Sequence, residues 1–179
     1  AAAFTRTECG LQQTENWPVE STDSVTRATL EQGGNTLTVD VSEDADGNKT
    51  YTASDTARTE TPDTAAAQAF ISSAATLYFS SSADFKPTDE ALAAYGLAEP
   101  SATLAVEWTR TDDASGAQES VTSVLYLGAV DANGDYYARL ADSNAVSTLN
   151  ATALSGVLGM TLDGMLPAEE ESAPESAPA

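Results

Sequence analysis

The sequence predicts an α+β protein built from two antiparallel β-meander-plus-helix units, a pattern that suggests an internal duplication. Three observations predict it. Segments rich in β-branched residues alternate apolar and polar positions, as half-buried strands do. Each group of such segments is followed by a stretch whose apolar residues recur at helical spacing. One short motif also occurs twice at comparable places: Asp44-Ala45-Asp46-Gly47-Asn48 and Asp131-Ala132-Asn133-Gly134-Asp135, leading into Tyr51 and into Tyr136-Tyr137 respectively. On this reading residues 1–20 form an irregular N-terminal segment, 21–84 a first lobe and 85–167 a second lobe. Residues 168–179, rich in Ala, Glu, Ser and Pro, form a disordered acidic tail.

The elements follow in order. Trp17-Pro18 is the first packing point. Val25 to Glu31 reads as a strand, and Leu37, Val39 and Val41 alternate along a second one. Gly33-Gly34-Asn35 between them is a hairpin signal, because glycine reaches positive φ without steric cost. Lys49 to Ala53 follows as a third strand. A helix then opens with Thr61 as cap, Pro62 at the first helical position and Asp63 complementing the dipole. Its apolar face carries Phe70, Ala74, Leu77 and Tyr78, and Ser80-Ser81-Ser82 weakens its end. A second helix runs from Thr88 as cap to Tyr95, with Gly96 as the residue that ends it.

Pro100 opens the second strand-rich half. Leu104, Val106 and Trp108 alternate with polar residues. A polar loop from Thr111 to Glu119 leads to a strand from Val121 to Leu127, and Gly128 to Gly134 forms a connection. Tyr136 to Leu140 and Ala145 to Leu149 are further strands. Asn150 caps a last helix bearing Leu154, Val157, Leu158, Leu162 and Met165, which Pro167 ends.

Composition excludes several functions. The 179 residues hold 28 acidic against 7 basic side chains, a net charge of −21. Such a chain repels phosphate backbones and anionic lipid headgroups, so neither nucleic acid nor direct anionic-membrane binding is expected. There is no histidine, which removes Ser-His-Asp and Cys-His catalysis. The one cysteine, Cys9, cannot form an internal disulfide and reads as an exposed thiol. No run approaches the roughly 20 apolar residues of a membrane span. The chain starts at Ala1 rather than Met and shows no signal peptide, so a trimmed or mature form is expected, its anchor not visible in the chain.

The repeated motif raises a calcium question. Asp131, Asn133 and Asp135 alternate as cation ligands do, as do Asp44, Asp46 and Asn48. An EF-hand loop, however, needs glycine at its sixth position, where Lys49 and Tyr136 stand, and glutamate at its twelfth, where Asp55 and Asp142 stand. Strands rather than helices flank both stretches. Hairpin turns are therefore expected, no metal site or cofactor is assigned, and Asp131, Asn133 and Asp135 are kept as the alternative.

The second half carries a more specific pattern: Tyr95-Gly96-Leu97-Ala98-Glu99-Pro100, then a strand pair, Leu127-Gly128, Gly134-Asp135-Tyr136-Tyr137-Ala138-Arg139, Val146 and a closing helix. Over residues 85–166 it resembles the bacterial family called domain of unknown function 4340, and in outline the first half is similar too. The resemblance implies an uncharacterised, extracytoplasmic domain of the cell envelope, lipid- or membrane-anchored or secreted. In some members it implies an accessory to an ABC-type transport system. No catalytic residue comes with it. The long loop at 111–119, the acidity and the lack of a visible anchor depart from the family pattern.

The expected function is thus a non-catalytic interaction module with a protein partner at the membrane. Tyr136 and Tyr137 face opposite sides of their strand, so one of them, beside Arg139, is the expected recognition patch. Two other readings stay open. One is a sugar- or peptide-binding module, with Trp17, Trp108 and the tyrosines lining the site. The other is a carboxylate-based hydrolase.

Overall fold

A computed structural model describes residues 16–168. The expectations for residues 1–15, Cys9 among them, and for the tail from residue 169 lie outside the described residues.

The elements run β1 (Val25–Gln32), β2 (Asn35–Glu43), β3 (Lys49–Ser54), β4 (Thr59–Glu60), α1 (Thr64–Ala75), β5 (Ser81–Asp84), α2 (Asp89–Ala94), β6 (Ala102–Thr111), β7 (Gln118–Val130), β8 (Tyr136–Leu140), β9 (Val146–Leu149), α3 (Ala151–Leu154) and α4 (Leu162–Met165). The fold is α+β. All nine strands join one antiparallel sheet in the order β4-β3-β2-β1-β6-β7-β8-β9-β5. From the central β1–β6 pair the order steps outward alike on both sides: β1, β2, β3, β4 one way and β6, β7, β8, β9 the other. β5 comes from the first half of the sequence but pairs with β9, at the far edge.

Alternation decides which face is buried. Ala28 and Leu30 of β1, Leu37 and Val39 of β2, Leu104, Val106 and Trp108 of β6, and Leu125 and Leu127 of β7 share one face and form the core. α1 lies over this face, near β1, β3 and β6, and contributes Phe70, Ile71 and Ala74. Leu154, Val157, Leu162 and Met165 from the C-terminal segment complete it. Both tryptophans belong to this core. Trp17 donates its Nε1 hydrogen to the Ala74 carbonyl at 2.9 Å, and Trp108 donates to the Ser123 hydroxyl at 3.0 Å. They are thus packing residues, each satisfied by one buried partner.

Local chemistry explains most boundaries, and it corrects some expectations. α1 is capped by Asp63, whose carboxylate accepts from the Ala66 N–H, rather than by Thr61. It stops at Ala75, so Leu77 and Tyr78 lie beyond it; Leu77 is buried and Tyr78 exposed. The serine run then becomes strand β5, because β9 offers its edge as a partner. The last helix is also broken in two. Gly156 and Gly159 interrupt it, each costing about 1 kcal/mol in a helix interior. Gly159 adopts φ +78°, and a Cβ on Gly156 would stand 2.1 Å from Ser73 Oγ, where the chain meets α1. β7 runs three residues past the expected end, through an irregularity between Leu127 and Val130.

Candidate functional site where α2 meets the sheet

Thr88 caps α2 by accepting from the Ala91 N–H, and Tyr95 ends it. Gly96 then takes φ +71°, a left-handed conformation that favours glycine, and lets the chain fold back as the Leu97 N–H reaches the Leu92 carbonyl. This turn docks on β7. The Tyr95 carbonyl accepts from the Ala129 N–H at 2.8 Å, and the Ser101 hydroxyl donates to the Leu127 and Gly128 carbonyls. Gly128 permits the approach: a Cβ there would lie 2.2 Å from the Tyr95 carbonyl oxygen.

Across the sheet, Tyr126 pairs with Arg139 and Tyr137 with Thr148, on the face opposite Leu125, Ala138 and Leu140. Tyr136 and Tyr137 therefore part company. Tyr136 packs against the core, whereas Tyr137 sits half-buried on the other face, its ring 4.6 Å from that of Tyr95 and tilted by 48°. Arg139 lies over the Tyr126 ring at 5.2 Å and donates to the Ser143 carbonyl at 3.1 Å. Cation–π contact of this kind holds a guanidinium flat on its ring. Burial, reinforced by the Asp84 carboxylate nearby, pushes the Tyr95 phenol above its usual range and keeps it protonated. The result is a partly buried patch of Tyr95, Tyr126, Tyr137 and Arg139, in which Tyr95 meets Tyr137 and the guanidinium covers Tyr126.

Of the sequence-predicted site residues, Tyr137 and Arg139 meet here and Tyr136 does not. Tyr126 was missed. Its signal was its position between Leu125 and Leu127, which puts it out of phase with the core. Tyr95 was visible only as a helix end.

The family model described as domain of unknown function (DUF4340) matches residues 58–158. The chain belongs to that family. The DUF4340 region runs from just before β4 through α3, so it holds the whole patch and reaches back beyond the segment whose motifs were legible. Those motifs come together in space: Tyr95-Gly96-Leu97 and Leu127-Gly128 are the two sides of the docking contact, and Tyr137-Ala138-Arg139 is the strand beside it. No curated protein and no solved structure matches the chain.

The repeated motif forms the β2–β3 and β7–β8 hairpins in this DUF4340 protein. The two loops make matching hydrogen bonds. Asp44 Oδ1 accepts from the N–H groups of Asp46 and Asn48, and Asp131 Oδ1 from those of Asn133 and Asp135. Gly47 and Gly134 take φ +84° and +89°. These N–H groups hold both aspartates below the usual carboxylate range. Asp135 is occupied elsewhere, accepting from Asn150 Nδ2 at 3.1 Å. Among the described residues no group of three or more His, Cys, Asp or Glu side chains is placed to hold a metal ion.

A cleft of about 450 Å³ opens between the β1–β2 hairpin and the C-terminal segment, lined by Gln32, Leu37, Asp55, Met160, Leu162 and Asp163 among others. Its lining includes no aromatic side chain and falls wholly outside the DUF4340 match. The N–H groups of Ala57 and Arg58 bind Asp55 and lower its pKa, and Arg58 pairs with Asp163.

Proposed function

We propose that this chain is a non-catalytic, extracytoplasmic interaction module of the bacterial cell envelope, anchored or secreted, that contacts a protein partner at the membrane, in the manner of an accessory to an ABC-type transport system. The observation that carries the reading is the partly buried patch of Tyr95, Tyr126, Tyr137 and Arg139 inside the DUF4340 region. Tyrosine and arginine supply much of the energy at protein interfaces, because they bury area while keeping polar groups available. The acidic composition supports the same reading, favouring solubility and disfavouring phosphate-rich surfaces.

The test is a crosslinked pull-down of the protein from its native membranes, read by mass spectrometry, with Tyr137→Ala and Arg139→Ala alongside. Enrichment of membrane-complex subunits by the wild type, reduced about tenfold or more in the variants, is expected, a loss typical of interface anchors. Efficient crosslinking without a specific partner would refute the proposal.

A second reading, binding of a small sugar or peptide, has the cleft beside Gln32 and Asp55 in its favour, since its volume is that of a ligand site. Calorimetric titration with neutral oligosaccharides and short peptides checks it; no heat of binding with either would remove it. A hydrolase reading draws little support there, since a carboxylate with a lowered pKa such as Asp55 is a poor proton donor near neutral pH.

We also infer that the two meanders arose by duplication of one unit. The outward strand order and the matching hydrogen bonds of the Asp44 and Asp131 turns support this. An experimental structure whose halves fail to superpose strand for strand through those turns would refute it.

A further inference from the structure

Among the described residues, Arg27, Lys49, Arg58 and Arg110 each pair with a carboxylate, whereas Lys86 and Arg139 do not. Lys86 is exposed, so water solvates its charge. Arg139 is partly buried. Its neighbours are neutral: the Tyr126 ring lies under the guanidinium at 5.2 Å, and the Ser143 carbonyl accepts from Nη1 at 3.1 Å. Its Nε is buried and has no hydrogen-bond partner. Buried donors in folded proteins are almost always paired, and buried charges are met by counter-charges. The chain has 28 acidic side chains and places none on this guanidinium. The counter-charge is left to come from outside the chain.

The guanidinium is also held ready for one. Arg139 lies on an inner strand, between β7 and β9. Tyr126, directly across from it on β7, fixes the plane of the fork, and the Ser143 carbonyl fixes one end. Little side-chain freedom is then lost on binding. Alternation puts Tyr137 and the fully buried Val146 on the same face, so an ion pair formed there is less screened than one in open water.

Chemistry narrows the occupant. A planar carboxylate matches a planar guanidinium through two parallel N–H···O bonds. With Nε buried, the approach is to the Nη end. A phosphate group would bring a second negative charge near the Asp84 carboxylate, which lies by Tyr95. Capture of a C-terminal carboxylate uses a nest of backbone N–H groups, and on a sheet face those groups point toward neighbouring strands. The net charge of −21 opposes a wholly acidic partner. A single acidic side chain among neutral residues meets all of these conditions.

We propose that Arg139 receives one Asp or Glu side chain of the protein partner, with Tyr126 and Tyr137 beside the contact. The proposal rests on the interaction-module reading and names the partner's chemistry at that site.

The test titrates the isotope-labelled 179-residue chain with the blocked tripeptide acetyl-Val-Glu-Val-amide and follows the Arg139 Nε–H resonance. The comparators are acetyl-Val-Gln-Val-amide, the same glutamine peptide with a free C-terminal carboxylate, and inorganic phosphate. A saturable shift is expected with the glutamate peptide, and each comparator is expected to bind about tenfold more weakly. Arg139→Lys keeps the charge without the planar fork and should bind the glutamate peptide about tenfold more weakly; Arg139→Gln should not bind it. A nuclear Overhauser contact between Tyr95 and Tyr137 shows that each variant keeps its fold. Equal binding of the glutamate and glutamine amides, equally tight binding of phosphate or of the free acid, full binding by Arg139→Lys, or no binding at all would overturn the proposal. The two readings fail separately. If Arg139→Lys captures the same membrane partners as the wild type in equal yield, the carboxylate assignment falls and the module stands. If the wild type captures none, the module falls whatever the tripeptides do.

Discussion

Gly128→Ala tests the docking of α2 on the sheet. The added methyl would lie 2.2 Å from the Tyr95 carbonyl oxygen, 3.0 Å from Leu97 Cγ and 3.1 Å from the Gly96 carbonyl carbon. Two of these are backbone atoms, so no side-chain rotation relieves the clash. The 95–97 segment must move, breaking the bond from the Ala129 N–H to the Tyr95 carbonyl and uncovering Leu97, which is 3% exposed. Overpacking costs about 1–3 kcal/mol, and the lost hydrogen bond about 1 kcal/mol. The sum, about 2–4 kcal/mol, lowers Tm by roughly 4–16 °C for a chain of this size. Guanidinium unfolding followed by tryptophan fluorescence measures the change, and a nuclear Overhauser contact between Tyr95 and Tyr137 reports the docking itself. Gly134→Ala is the comparison. It has φ +89° and nothing within 4 Å, so a methyl there adds only backbone strain of about 1–2 kcal/mol. If Gly128→Ala stays within about 0.5 kcal/mol of wild type, the level of an unremarkable surface change, or keeps the Tyr95–Tyr137 contact, the docking is misassigned.

Met165→Ala is expected to cost about 2–5 kcal/mol in denaturant melts, because the Met165 side chain is fully buried in the core; a loss below about 1 kcal/mol would mean that α4 does not pack there. Trp108→Phe leaves the buried Ser123 hydroxyl without its donor and should lower stability by about 1–3 kcal/mol, and Trp108→Phe/Ser123→Ala should restore part of it; an unaffected single variant contradicts the pairing. Asp131, bound by the Asp135 and Asn133 N–H groups, has a lowered pKa in the folded chain, so its contribution is complete above about pH 4 and disappears as pH falls through the folded value. Asp131→Asn keeps an acceptor oxygen without the titration, so its Tm should fall less steeply below pH 4; identical acid limbs would disprove the assignment. Tyr95 is raised by burial and then by Asp84, so its contribution is complete below about pH 10 and lost as pH climbs through the folded value. Tyr95→Phe should flatten that alkaline loss and remove a phenolate absorbance that appears above the usual range, and an unchanged titration would show that Tyr95 is not the shifted group.

Much of the local structure was legible. The Leu104, Val106 and Trp108 alternation identified a buried face, Thr88 and Gly96 bracketed α2, Asn150 capped α3, and the Asp-Gly and Asn-Gly stretches turned out to be hairpins. Each depends on a few adjacent residues whose φ preference or side-chain acceptor suffices. The misses were of another kind. Asp63 displaced Thr61 as cap, and the serine run became β5 because a partner strand outweighed its weak local preference. For the patch, Tyr137 and Arg139 could be placed on one strand. Joining them to Tyr126 and Tyr95 required the β7–β8 register and the Gly96–Gly128 contact.

By itself, then, the sequence determined the chemistry available to this protein and the period of its strands: no imidazole, a strongly negative charge, alternating faces and two matching turns. These are properties of single residues and near neighbours. Tertiary structure alone decided that β1 lies beside β6, that β5 crosses to the far edge, and that Tyr95, at the end of α2, meets Tyr137. Those choices turn on non-local pairing. Strand partners and face assignments are chosen by how the whole core closes, and no short window of sequence contains that sum.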